Sequence, residues 1–216
     1  MPQTFTPGIL LGVKLVWMAL GALTILLVVV GASWSPEGEP AVDEVQAQPI
    51  PFSHKHHVGD VGLDCRFCHV TVETAATPGM PSAQLCLGCH SQLFADQALF
   101  APLHRAVDQQ VPIAWMHVNR LPDYVYFDHS VHVTKGVACI ECHGRVDQMA
   151  LITRPQEMTM RWCLGCHQNP GPHLRYADDV FSMPPRTLTE AQSAALTRIV
   201  QIESRQRLTD CSTCHR

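Results

Sequence analysis

From Leu15 to Ser33 the chain carries no charged side chain, and Ile9 to Val13 extend the apolar run on the far side of Lys14. That is long enough to cross a bilayer core as a helix, and it predicts a membrane anchor over residues 1–35. The run exceeds the roughly 7–15 apolar residues of a signal peptide. Val30-Gly31-Ala32, a passable cleavage site, is therefore read as part of an uncleaved anchor. Lys14 on one flank and Glu37, Glu39, Asp43 and Glu44 on the other orient the N-terminus inward. Trp17 and Trp34 bracket the span as interface residues. The polar, proline-bearing stretch 36–51 reads as a linker. Near the other end, Thr189 to Leu208 has helical periodicity, with Ala191, Ala195, Ile199 and Ile202 on one face and Thr189 as N-cap. Elsewhere the pattern predicts short helices, loops and little sheet, in keeping with 16 prolines and 13 glycines in the chain.

The chemistry lies in a five-residue pattern that occurs five times: Cys65-Arg66-Phe67-Cys68-His69, Cys86-Leu87-Gly88-Cys89-His90, Cys139-Ile140-Glu141-Cys142-His143, Cys163-Leu164-Gly165-Cys166-His167 and Cys211-Ser212-Thr213-Cys214-His215. C-x-x-C-H is the attachment signature of haem c. Two thiols one helical turn apart can each form a thioether with a haem vinyl group, and the following His turns its imidazole onto the iron. Zinc sites and redox thiols also use C-x-x-C, but they need no His directly after the second Cys. Here all ten cysteines are consumed in pairs and every pair is followed by His. The expected cofactors are five covalently bound haems c, with His69, His90, His143, His167 and His215 as proximal ligands. Thioether formation needs reduced thiols and takes place outside the cytoplasm, so the haem segment is expected there. The macrocycles themselves would form most of the core. With 15 Lys plus Arg against 19 Asp plus Glu, the charge balance is not that of a nucleic-acid binder.

Two stretches repeat. Phe52-Ser53-His54-Lys55-His56-His57-Val58 and Phe127-Asp128-His129-Ser130-Val131-His132-Val133 both read F-x-H-x-x-H-V. Each precedes one C-x-x-C-H and then a second with the inner residues CLGCH, which marks an internal duplication. The predicted modules are 52–100 and 127–175, with 101–126 as a connection and 176–216 holding the helix and the fifth site. A low-spin electron-transfer haem needs a second axial ligand, usually His or Met. The paired spacing puts His54 with His57, and His129 with His132, on one helical face as distal ligands. Phe52 and Phe127 are expected against porphyrin faces. Four distal histidines leave one of five irons short. Met149 is the first choice for the fifth ligand and Met183 the second.

F-x-H-x-x-H followed by C-x-x-C-H resembles the class III cytochromes c, of the c3 and c7 type. The anchor, RLPDYVYFDHSVHVTKGVACIECHGRVDQM, MTMRWCLGCHQNPGPHLR and the terminal CSTCHR resemble the pentahaem cytochrome c subunit of alternative complex III. The resemblance implies a mainly helical and irregular fold with little sheet and a haem-built core, beside one transmembrane helix of the bacterial inner membrane. It implies an electron-relay subunit without catalytic residues, its haem domain periplasmic. The implied partners are an iron–sulfur subunit, polytopic quinol-handling membrane subunits, a monohaem cytochrome and a soluble periplasmic acceptor. Two other readings compete. A catalytic multihaem reductase would need an open iron position with acid–base groups beside it. A small quinol dehydrogenase cytochrome feeding a periplasmic reductase shares the anchor and the serial haems, but the duplicated F-x-H-x-x-H modules argue against it.

Overall fold

The structure is a computed structural model that describes residues 6–33 and 41–215. The chain divides into two compact units, 1–39 and 40–216.

The first unit is helix α1, Pro7–Ser33. Pro7 takes the first helical position, where its missing N–H costs nothing. At 1.5 Å per residue the helix is about 40 Å long. It therefore begins two turns before the uncharged run and carries Lys14 within it. Thr24 Oγ1 donates to the Leu20 carbonyl at 2.9 Å, which satisfies the hydroxyl inside an otherwise apolar stretch. The span Pro7–Gly31 is long and apolar enough to cross a membrane, with a mean hydropathy of 2.5. Trp34, Glu37 and Glu39 lie outside the described residues.

The second unit has no strand among the described residues, only single bridges between Val125 and His215 and between Val137 and Leu174. Its helices are short: α2 Cys65–Cys68, α3 Ala83–His90, α4 Ala101–Asp108, α5 His129–Thr134, α6 Cys139–His143, α7 Met160–Gln168, α8 Glu190–Ile199, α9 Arg205–Leu208 and α10 Cys211–Cys214. Buried apolar side chains are few. Ile50, Ala83, Leu103 and Ala106 form one cluster between α3 and α4, with Trp115 packed against it. Leu174, Leu196 and Val180 are the largest fully buried side chains among the described residues. Gly171 allows the turn before Leu174 to lie against α8, because a Cβ there would come within 3.2 Å of the Ser193 Cβ.

Two expectations about elements change. The stretch expected as a linker is no free tether over its described part. Asp43 N–H donates to the Arg154 carbonyl at 2.9 Å, the Gln48 side chain pairs with both backbone groups of Met116, and Ile50 is buried. The single helix expected over Thr189–Leu208 is two. Thr189 caps α8 in a reciprocal box with Gln192. The helix then stops because Lys135 Nζ donates to the carbonyls of Val200 and Gln201, at 2.8 and 3.1 Å, and Gln201 turns to φ 52°. Ser204 caps the restart as α9.

Candidate functional site

All five C-x-x-C-H motifs sit on single helical turns, and four of the helices that carry them start from a capping side chain. Asp64 accepts from Arg66 N–H ahead of α2, Ser82 from Leu85 N–H ahead of α3, Thr159 from Trp162 N–H ahead of α7, and Asp210 from Ser212 N–H ahead of α10. Only α6 follows a residue, Ala138, that makes no such bond. Each cap satisfies an orphan donor at the turn that presents the two cysteines and the His.

The F-x-H-x-x-H segments fold as helical turns of two kinds. His129 and His132 lie on α5, capped by Asp128. His57 lies on a wider π-helical turn, Lys55–Asp60, and His54 is the residue that caps its start. There Ser53 Oγ accepts from His56 N–H at 3.1 Å, and Gly59 lies so close to the Asp147 carbonyl that no Cβ would fit. In both segments one Phe touches both histidines. Phe52 stands edge-on to His54 and stacks on His57, with centroids 4.9 and 4.3 Å away. Phe127 repeats this with His129 and His132 at 4.7 and 4.5 Å. Both phenylalanines thus pack on the imidazoles of their own segment.

Three histidines from these segments face three motif histidines. His57 and His90 have ring centroids 6.1 Å apart, His129 and His143 6.3 Å, and His132 and His167 6.2 Å. An iron bound on both sides by Nε2 at about 2 Å would hold two imidazole centroids about 6.3 Å apart. His54 lies close enough to His69 for their charges to interact.

The second ring nitrogen is accounted for in most cases. Nδ1–H donates to a backbone carbonyl in His57 (Ser53), His69 (Gly79), His90 (Leu93), His129 (Ala76), His132 (Asp128), His167 (Leu208) and His215 (Tyr124), at 2.7 to 3.2 Å. A carbonyl can only accept, so Nδ1 holds the proton and the Nε2 lone pair is left for a metal. His143 Nδ1 lies 3.1 Å from the Asn119 amide. Rotating that amide gives Nδ1–H an acceptor and satisfies the buried Asn119 Oδ1, which otherwise has none. His54 Nδ1 is buried without a partner. Burial pushes the imidazoles of His54 and His143 down to about 4, and lowers that of His132. All three are held in the neutral form that a metal needs. Paired thiols, free Nε2 atoms and facing rings at this spacing fit haem c.

The remaining candidates are elsewhere. Met149, within the second module, reaches the first through one bond: its carbonyl accepts from Lys55 N–H, while its Sδ accepts from Thr153 Oγ1 at 3.9 Å and its Cε lies beside Gly144. None of these groups belongs to the fifth motif, where His215 packs with Tyr124. Met183 is buried. His56, His104 and His117 are exposed. His173 donates from Nδ1 to Glu141 at 2.7 Å, and that carboxylate raises its affinity for a proton. Asn119 and the carbonyl acceptors escape a reading of the sequence. A backbone carbonyl has no side-chain signature, and Asn119 stands 24 residues from the His it serves.

Residues 125–216 match the family described as cytochrome c7 and related cytochrome c. The mainly helical and irregular fold, with no strand among the described residues, is consistent with that likeness. The multiheme cytochrome c subunit of menaquinone reductase from Nitratidesulfovibrio vulgaris (strain Hildenborough) is 36% identical over 99 residues, 44% of this chain and 45% of that protein. The chain thus spans less than half the length of the curated relative it matches.

Proposed function

We propose that the protein is an electron-relay subunit of a membrane quinol-oxidising complex of the alternative complex III type, without a catalytic site of its own. The observation that carries this reading is the set of three facing imidazole pairs at 6.1 to 6.3 Å. Irons held on both sides have no position left for a substrate, and haem in that state supplies one-electron exchange. In this reading Cys65 with Cys68, Cys86 with Cys89, Cys139 with Cys142, Cys163 with Cys166, and Cys211 with Cys214 attach five haems c. The five motif histidines are proximal ligands and His54, His57, His129 and His132 distal ones; Met149, whose contacts lie away from the fifth motif, is the first methionine to test as the fifth. The chain's own part is to hold these ligands and to keep Nδ1 protonated on backbone carbonyls.

Helix α1 anchors the chain in the inner membrane with the haem unit on the periplasmic side. An iron–sulfur subunit and polytopic quinol-handling subunits would deliver electrons, and a monohaem cytochrome or a soluble acceptor would take them. The menaquinone reductase relative favours a second reading, in which the same relay runs toward quinone. Purification with partner subunits tests both. In the first reading, added quinol reduces the haems. In the second, a reduced periplasmic donor reduces them and quinone reoxidises them. Carbon monoxide should leave the visible spectrum of the reduced protein unchanged. A shifted Soret band would mean an open iron and return the catalytic reading.

A further inference from the structure

The five motifs are numbered here in chain order. We infer that they form one unbranched row in space in the order second, first, third, fourth, fifth, so that electrons enter and leave at the second and fifth sites. This rests on the proposed relay function.

The row is built from four links. His57 faces His90 of the second site, and Leu63 N–H, two residues ahead of the first motif, donates to the His57 carbonyl at 3.0 Å. This joins second to first. The first site is tied to the third by two sets of contacts. His129, which faces His143, donates from Nδ1 to the Ala76 carbonyl at 2.8 Å, in the turn after the first motif. Lys55 N–H donates to the Met149 carbonyl at 2.9 Å, just after the third motif. Third joins fourth through α5, whose His129 and His132 face His143 and His167. Fourth joins fifth through α9, packed on α7. His167 Nδ1–H donates to Leu208 at 2.9 Å, and Thr213 Oγ1 of the fifth motif donates to Arg207 at 2.7 Å.

Exposure gives an independent check. Of the ten cysteines only Cys89 and Cys211 are exposed, and they belong to the second and fifth sites. A row in which chain order and spatial order differ places the first motif inside and the second outside. One electron taken from a donor at one end can then be passed to an acceptor at the other, with no proton or bond exchanged.

The test is to locate the irons in the haem-loaded full chain with its partner subunits, by cryo-electron microscopy or anomalous scattering at the iron edge. The expected result is that the first site's iron has the second and third as nearest neighbours, and that the second and fifth irons are the farthest-separated pair. A chain-order row, in which the second iron neighbours the third, would overturn the inference, as would a branched cluster. A pyridine haemochrome count on the same sample separates the two levels. Fewer than five haems defeats the relay reading itself, whereas five haems in another order defeats only the row.

Discussion

Asp128 does several jobs at once. Its Oδ1 accepts from the N–H and hydroxyl of Ser130 at 2.8 and 2.7 Å, while its carbonyl accepts from His132 Nδ1 at 2.7 Å. Hydrogen bonds to the charged form hold its carboxyl below the usual carboxylate range. A depressed carboxylate stabilises the fold above its unfolded pKa, and that stability is lost as pH falls through the lower, folded value. Asp128→Ala should therefore melt earlier than the parent near neutral pH, and the gap should close on acidification. Thermal melts followed by circular dichroism at the two conditions check this. A gap that persists in acid would assign the effect to packing instead. The other residue-scale question is Met149. Oxidised protein should show the near-infrared band of a methionine bound to ferric iron. Met149→Ala should abolish it and lower one midpoint potential, since a thioether favours ferrous iron. A band that survives moves the role to another methionine, with Met183 next. The absence of a band in the parent returns the fifth position to a histidine. The motif histidines could be read directly from the sequence because covalent chemistry fixes their spacing. Nothing in the sequence says which carbonyl meets which Nδ1.

At the scale of elements, the caps were within reach of the sequence. Asp64 and Asp210 stand directly before a motif, and Thr159 and Ser82 a few residues ahead of one. Thr159→Ala should cost about 1 kcal/mol of stability, the usual worth of an N-cap. Denaturant titration of the haem-loaded chain measures it, and no change would mean that haem attachment alone holds α7. The split between α8 and α9 was out of reach. It depends on Lys135, 65 residues from the Val200 carbonyl it captures. The π-helical turn was equally hidden, because the two F-x-H-x-x-H segments look alike in sequence while their neighbours differ: the Asp147 carbonyl for one, the turn at Ala76 for the other. Helix α1 was legible, since an apolar run needs no tertiary context. The chain should stay with the membrane fraction through a high-salt wash and come off with detergent. Release by salt alone would remove the anchor.

For the whole molecule, the apolar core among the described residues is small for the length of chain. A fold of short capped turns held at crossing points by imidazoles has little to stabilise it until those imidazoles bind something rigid. The number of sites could be counted along the chain. Their order in space could not, because it depends on contacts such as Ala76 with His129, 53 residues apart. The central claim is that all five motifs carry covalent haem. The intact mass of the mature chain, isolated from a host that attaches haem c, tests it most directly. The account predicts an excess over the polypeptide equal to five haems. An excess equal to four or fewer, with free thiols at one C-x-x-C-H, would contradict it.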